Sequence, residues 1–172
     1  MNLSTAPRHR CRFCDAALSR VFVDLGMSPL CESFLSAEQL DGAERFYPLC
    51  VYVCDRCLLV QLPQYVNATD IFSEYAYFSS FSDSWLRHAR RYSERMIERF
   101  GLTQRSQVIE IASNDGYLLQ NFVARGIPGL GIEPAANVAR AAADKGVPTL
   151  VKFFGTDTAR ELLAMGKRAD LL

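Results

Sequence analysis

Apolar positions in the second half of the chain come in short runs separated by amphipathic stretches. Val108-Ile109-Glu110-Ile111-Ala112 reads as a buried strand. The turn Ser113-Asn114-Asp115-Gly116 follows, then a helical pattern on Leu118, Leu119, Phe122 and Val123. Arg125-Gly126-Ile127-Pro128 ends that helix and opens a second strand, residues 129–132. The same punctuation recurs as Lys145-Gly146-Val147-Pro148, after a helix over 135–144 and before a third strand over 149–153. Glycine permits the left-handed helix exit, and proline cannot continue a helix. A third helix is predicted over 158–165, and Arg168-Ala169-Asp170-Leu171-Leu172 reads as the opening of a fourth strand. Repeated strand-helix units of this kind predict an α/β fold with a parallel, Rossmann-like sheet.

Upstream the periodicity changes. Trp85, Ala89, Tyr92, Met96 and Phe100 recur at helical spacing, with Ser82 or Asp83 as cap and Gly101 as stop. The stripe reads as a core-facing surface. Nearer the N-terminus, Val21-Phe22-Val23 and Leu49-Cys50-Val51-Tyr52-Val53 read as strands, with turns at 26–29 and at Asp41-Gly42. The predicted organisation is a small unit over 1–62, a linker with a long helix over 63–101, and the opening half of the α/β domain over 102–172. A sheet that breaks off on two leucines would expose an apolar edge, so the chain reads as a fragment of a longer protein.

Four cysteines alter the picture of the first unit. Cys11 and Cys14, and again Cys54 and Cys57, stand at the spacing at which a tight turn aims two sulfurs at one metal ion. The second pair directly follows a predicted strand, as in zinc ribbons. Four thiolates close a tetrahedral shell and leave no position for substrate, so the predicted zinc is structural. Cys31 and Cys50 lack such partners and read as core. His9 is a candidate substitute ligand, and His88 reads as a surface residue.

The polar, basic first ten residues have no apolar core and do not read as a secretory signal. Unpaired cysteines without such a signal predict a reducing, cytoplasmic setting. Lys plus Arg and Asp plus Glu both number 19. That balance gives no footprint for nucleic acid, and no apolar run reaches the length of a membrane span.

The second candidate site is the turn after the first parallel strand. In an open parallel sheet, nucleotide-like ligands lie beyond the C-terminal strand ends. Glu133, at the end of the second strand, suits two ribose hydroxyls. A dinucleotide pyrophosphate favours closely spaced glycines, whereas this turn carries Ser113, Asn114 and Asp115 before its one glycine. Polar side chains there fit a ligand with an amino-acid moiety and no phosphate, which points to S-adenosylmethionine.

The motifs in their order resemble those of bacterial S-adenosylmethionine-dependent sugar C-methyltransferases, which act on nucleotide-linked keto-deoxysugars. The resemblance rests on Cys11-Arg12-Phe13-Cys14, Leu25-Gly26-Met27-Ser28-Pro29-Leu30 and Cys54-Asp55-Arg56-Cys57-Leu58-Leu59-Val60-Gln61-Leu62. It continues through Tyr75-Ala76-Tyr77-Phe78-Ser79-Ser80, Glu110-Ile111-Ala112-Ser113-Asn114-Asp115-Gly116 and Gly131-Ile132-Glu133-Pro134. It implies a cofactor-binding set of Glu110, Ala112, Ser113, Asn114, Asp115, Gly116, Glu133, Pro134, Phe153 and Phe154. Within it, 112–116 would line the methionine part, Glu133 would hold the ribose, and Phe153 and Phe154 would border the adenine. Tyr75 and Tyr77 are the implied catalytic candidates, on an aromatic segment that closes over cofactor and nucleotide-sugar. The family's catalytic base would lie beyond Leu172, so the fragment is expected to be inactive alone. Two other readings stand beside this one: a non-catalytic zinc-ribbon binding module, and a nicotinamide-dependent oxidoreductase.

Overall fold

The computed structural model describes residues 9–172. The chain divides into two compact units, Met1–Ile71 and Phe72–Leu172. Most of the polar, basic N-terminal stretch, residues 1–8, lies outside the described residues.

In the first unit, β1 (Arg20–Ser28), β2 (Tyr47–Val53) and β3 (Val60–Gln61) form an antiparallel sheet in that order. Valines and aromatics in β1 and β2 suit a pleated, half-buried backbone. The predicted turn at 26–29 is replaced by a bulge inside β1. Strand register slips between Asp24 and Met27, and Gly26 stands at φ +79° with its N–H donated to Asp24 Oδ1 at 2.9 Å. Glycine reaches that φ without a Cβ clash, so the strand bends and continues. Among the described residues of this unit, the fully buried apolar side chains are Cys11, Leu18 and Cys54. Phe22, Leu25 and Met27 of β1 are exposed. Cys31, read from sequence as core, is exposed as well, and Cys50 is half-buried in β2. So small a core does not offset the conformational entropy of ordering the unit.

A short helix α1 (Ala68–Phe72) leads toward the second unit. There α2 (Asp83–Phe100) is capped by Ser82, whose Oγ accepts from Trp85 N–H, and it stops at Gly101 in the left-handed conformation at φ +58°. Its core face is Ala89, Ser93 and Met96. Trp85, Tyr92 and Phe100, predicted to share that face, are about half exposed. Ser93 sits inward because its hydroxyl donates to Ala89 O at 2.9 Å, so no polar group is stranded.

Three parallel strands follow: β4 (Val108–Ile111), β5 (Gly129–Ile132) and β6 (Thr149–Leu150), in the order β4-β5-β6. Between and after them lie α3 (Gln120–Val123), α4 (Ala136–Asp144) and α5 (Thr156–Ala164). The α3 helix is shorter than its apolar pattern predicts. The side-chain amides of Gln120 and Asn121 both donate to Tyr117 O, at 2.9 and 3.3 Å, and compete with the backbone for the first turn. After α5 the chain returns beside β4 on the side away from β5. Leu171 forms a parallel bridge with Val108, and Ile109 N–H donates to Leu171 O at 2.9 Å. That bridge is the predicted fourth-strand opening.

Alternate residues of β4 serve opposite faces of the sheet. Val108 packs with Met96, Leu119, Phe122, Ala142 and Val147, whereas Ile109 packs with Ile132 and Leu162. The fold is therefore a Rossmann-like mixed α/β arrangement with helices on both faces. Since β4 is flanked by β5 on one side and residue 171 on the other, its C-terminal end is a topological switch point.

Candidate functional site

The two cysteine pairs adopt one local conformation. Asp15 N–H donates to Cys11 O and Leu58 N–H to Cys54 O, both at 2.9 Å. Cys11 N–H donates to Ala16 O and Cys54 N–H to Leu59 O, at 2.8 and 3.0 Å. Each turn is closed by a residue in the left-handed region, Asp15 at φ +58° and Leu58 at φ +63°. β2 delivers the second turn and the β3 side of the sheet returns Gln61 to it. Gln61 Nε2 donates to Cys11 Sγ at 3.1 Å while its Oε1 accepts from Arg12 N–H at 2.9 Å. A buried amide that orients a ligand in this way is a second layer of support for a metal site.

All four sulfurs lie within 4.8 Å of one another. Cys11 and Cys57, and Cys14 and Cys54, are each 3.6 Å apart. A tetrahedron with zinc–sulfur bonds of about 2.3 Å has edges of about 3.8 Å, so the cluster is close to the size that zinc requires. The electrostatics agree. The Cys14 N–H is the main cause that draws the Cys11 thiol down to about 6. Against the lowering effect of the Leu59 N–H, burial and the other three sulfurs push Cys57 up to about 12. Four thiolates repel one another until a dication joins them. His9 is not part of the cluster, and its ring packs on Tyr52 at 5.6 Å.

In the second unit, residues 112–116 form the loop beyond β4. Ala112 and Asn114 are left-handed, at φ +56° and +50°, and Gly116 follows at +76°. Non-glycine residues held there mark a loop fixed by its surroundings. Glu133 does much of the fixing. It is buried at 6% exposure, and it accepts from Asn114 N–H and from Ala135 N–H, both at 2.9 Å. The acidic residue that sequence assigns to a ribose thus first clamps two loops together, with further lone pairs on each oxygen. Gly131 admits this packing. A Cβ there would lie 2.9 Å from Ser113 Cβ and 3.1 Å from Thr149 Oγ1. Gly131→Ala is expected to destabilise the second unit by about 2 kcal/mol through overpacking, read as a lower denaturant midpoint.

Three buried polar atoms around this loop have no hydrogen-bond partner among the described residues: Glu110 Oε2, Ser113 Oγ and Asp115 Oδ1. Native proteins seldom strand such atoms, so a cluster of them at a switch point is a candidate position for a polar ligand. Burial is the main cause that raises the Glu110 carboxyl to about 8. A hydrogen bond with Tyr117 partly offsets this, and Asp115 and Glu133 add to the rise. A cavity of about 240 Å³ opens along β4, lined by Glu110, Ile111, Leu118, Tyr92 and Leu171 among others.

The sequence-predicted residues divide between this loop and its rim. Glu110, Ser113, Asp115, Gly116 and Glu133 come together at the ends of β4 and β5. Ala112 is exposed and Pro134 half-buried beside them. Phe153 and Phe154, beyond β6, are 38% and 41% exposed. β6 spans Thr149–Leu150 rather than reaching 153, and Glu133 extends its pairing by one step beyond the strand. Its N–H donates to Leu150 O, and its own O accepts from Lys152 N–H. Tyr77 is about half exposed, and Tyr75 stacks at an angle on Phe72 with ring centroids 5.6 Å apart.

Other residues at these two sites were not assigned a role from sequence, although Gln61 stands within the motif over 54–62. They are Gln61 beside the sulfurs, Tyr117 beside Glu110, and Lys145, whose Nζ meets Asp115 Oδ2 at 2.8 Å. Asn137 likewise reaches the segment that carries Tyr75. No helix among the described residues is long and apolar enough to cross a membrane.

Residues 11–72 match the family model of a candidate zinc binding domain. Over 156 residues, 91% of the chain, it is 34% identical to the C-methyltransferase NovU of Streptomyces niveus. The chain spans 37% of that protein's length. Both likenesses support the resemblance drawn from the motifs.

Proposed function

We propose, from a chain related over 91% of its length to a C-methyltransferase, that it carries the zinc unit and the cofactor cradle of an S-adenosylmethionine-dependent methyltransferase acting on a nucleotide-linked keto-deoxysugar. One observation carries the reading. The stranded atoms of Glu110, Ser113 and Asp115 gather at the switch point beyond β4, the kind of position at which open parallel sheets bind nucleotide-like ligands. Burial keeps Glu110 protonated and Lys145 pairs with Asp115, so the Glu133 carboxylate is the charge left uncompensated beside the loop, which suits a ligand that carries positive charge.

The cofactor, when bound, supplies an electrophilic methyl group on a sulfonium. Glu133 would accept from its ribose, and Glu110 and the 112–116 loop would hold its amino-acid end. Phe153 and Phe154 would border the base. Tyr75 and Tyr77 would orient the sugar or carry its proton, aligning the carbon nucleophile with the methyl. The Cys11, Cys14, Cys54 and Cys57 metal is structural in this scheme, since its four thiolates leave no open position. The setting is a cytoplasmic biosynthetic one, without nucleic acid or membrane as partner.

Calorimetric titration with S-adenosylhomocysteine and with NAD tests the reading. The first is expected to bind and the second not; the reverse would assign the site to a nicotinamide cofactor. Glu133→Gln, which keeps the side chain's length and one acceptor, is expected to weaken S-adenosylhomocysteine at least about tenfold, or about 1.4 kcal/mol. Unchanged affinity in a folded variant would remove Glu133 from the ribose.

A further inference from the structure

The segment bearing Tyr75 and Tyr77 has almost no regular structure of its own. A single 3-10 turn, Ser79–Phe81, precedes α2. Its backbone is held instead by two asparagine side chains, each used at both ends of its amide. Asn137 Nδ2 donates to Tyr75 O at 2.8 Å and its Oδ1 accepts from Tyr75 N–H at 3.1 Å. Asn114 Nδ2 donates to Tyr77 O at 3.1 Å and its Oδ1 accepts from Ser79 N–H at 2.8 Å. A side-chain amide bonded this way imitates a neighbouring strand. Next along the segment, Ser80 N–H donates to Asp115 Oδ2 at 3.3 Å, and Lys145 Nζ donates to both Ser80 Oγ and Asp115 Oδ2, at 2.6 and 2.8 Å.

Asn114 also faces the other way. Its backbone N–H is the one that Glu133 accepts at 2.9 Å. The left-handed φ of +50° lets one residue do both, and asparagine is among the few residues that tolerate it. A single residue therefore joins the acid at the end of β5 to the aromatic segment.

We infer that Asn114 and Asn137 are positioning residues, whose amides seat residues 75–80 on the rim of the parallel sheet. Through Asn114 that seating is coupled to occupancy of the site at Glu133. The coupling rests on the ligand reading above; the seating does not. A ligand engaging Glu133 immobilises the loop, the loop fixes the Asn114 amide, and the amide fixes Tyr77 and Ser79. The aromatic side chains then take one arrangement only when the cradle is filled.

Amide hydrogen exchange on the zinc-loaded full chain tests this. Asn114→Gly keeps the backbone conformation and deletes the amide. In the absence of ligand, the Ser79 amide is expected to exchange at least about tenfold faster in this variant, with Val108 and Ile109 of β4, bonded to Pro128 O and Leu171 O, unchanged. Asn114→Asp, which keeps an acceptor for Ser79 N–H, should restore most of the protection. Asn137→Ala should produce the same loss at the Tyr75 amide. Added S-adenosylhomocysteine should further slow Ser79 exchange in the wild type, and this gain should vanish in Asn114→Gly even where the variant still binds.

Wild-type exchange at Ser79 in Asn114→Gly and at Tyr75 in Asn137→Ala would overturn the seating. A ligand-induced gain that survives Asn114→Gly would overturn the coupling. If Asn114→Gly also loosens β4, the Asn137→Ala result at Tyr75 decides the seating. If S-adenosylhomocysteine fails to bind the wild type, the cofactor reading and the coupling built on it both fall, and the ligand-free comparison still decides the seating.

Discussion

Removing the metal with a chelator, or replacing Cys54 by serine, is expected to unfold the first unit. The physical argument is one of magnitudes. The described residues of this unit bury Cys11, Leu18 and Cys54 and few other apolar side chains, with Gln61 as a buried polar partner. Folded domains are stable by only about 5–15 kcal/mol, and a structural zinc site contributes about 10 kcal/mol or more in small metal-binding units. Without the ion, the sulfurs of a cluster within 4.8 Å become either crowded thiolates or buried thiols. Gln61 then loses the charge-assisted acceptor that holds it. Elemental analysis should find one zinc per chain, and chelation should abolish amide protection in β1, β2 and β3. A Cys54→Ser chain that keeps this protection with no metal would refute the assignment. Gln61→Ala is the milder version, with an expected 10- to 100-fold weaker hold on zinc, a magnitude on the order found for such supporting residues.

The second large effect concerns Glu110, and its sign follows from linkage. Burial raises its carboxyl from an ordinary 4.5 to about 8 in the folded protein. Between those values the folded chain keeps a proton that the unfolded chain has released. Stability therefore falls as pH rises from about 4.5 to about 8, with no contribution from this group to the slope outside that window. Glu110→Gln keeps the shape of the neutral acid and removes the titration. The variant should match the wild type near pH 4.5. It should be more stable above pH 8 by on the order of a few kcal/mol, since each pH unit across that window costs the wild type about 1.4 kcal/mol. Denaturant unfolding at three pH values measures this. Equal stability of the two proteins at about pH 9, beyond the window, would mean that Glu110 is not buried in the folded chain. On the functional reading the same substitution weakens S-adenosylhomocysteine, so a site residue is stabilised at the expense of binding. Glu110 Oε2 has no hydrogen-bond partner among the described residues, and on the same functional reading the ligand supplies one.

The legible part of this chain is the part governed by local chemistry. Cys-x-x-Cys spacing specifies a turn that needs no distant partner, and both pairs form it with the same hydrogen bonds. The cap at Ser82 and the stop at Gly101 are likewise settled within one helical turn. Periodicity located every parallel strand, because a strand covered on both faces is a continuous apolar run. It failed at Trp85, Tyr92 and Phe100, where helical spacing was right and the buried face was rotated toward Ser93. It also overran β6, beyond which Glu133 carries one further step of pairing, and α3, where the amides of Gln120 and Asn121 compete for the first turn.

The sequence by itself determined where the cysteine cluster forms and which polar loop follows the first parallel strand, since ligand type, turn residues and strand ends are encoded within a few positions. Only the tertiary structure decided what the polar loop does with its side chains. Asn137 and Lys145 carry no assigned role until folding sets them against residues 75–80, the hold of Asn114 on that segment is equally invisible in its loop motif, and that of Gln61 on Cys11 appears only when the sheet returns it there. A hydrogen bond is satisfied by geometry and not by order along the chain. Partners separated by 62 or 50 positions leave no pattern that a local window can hold.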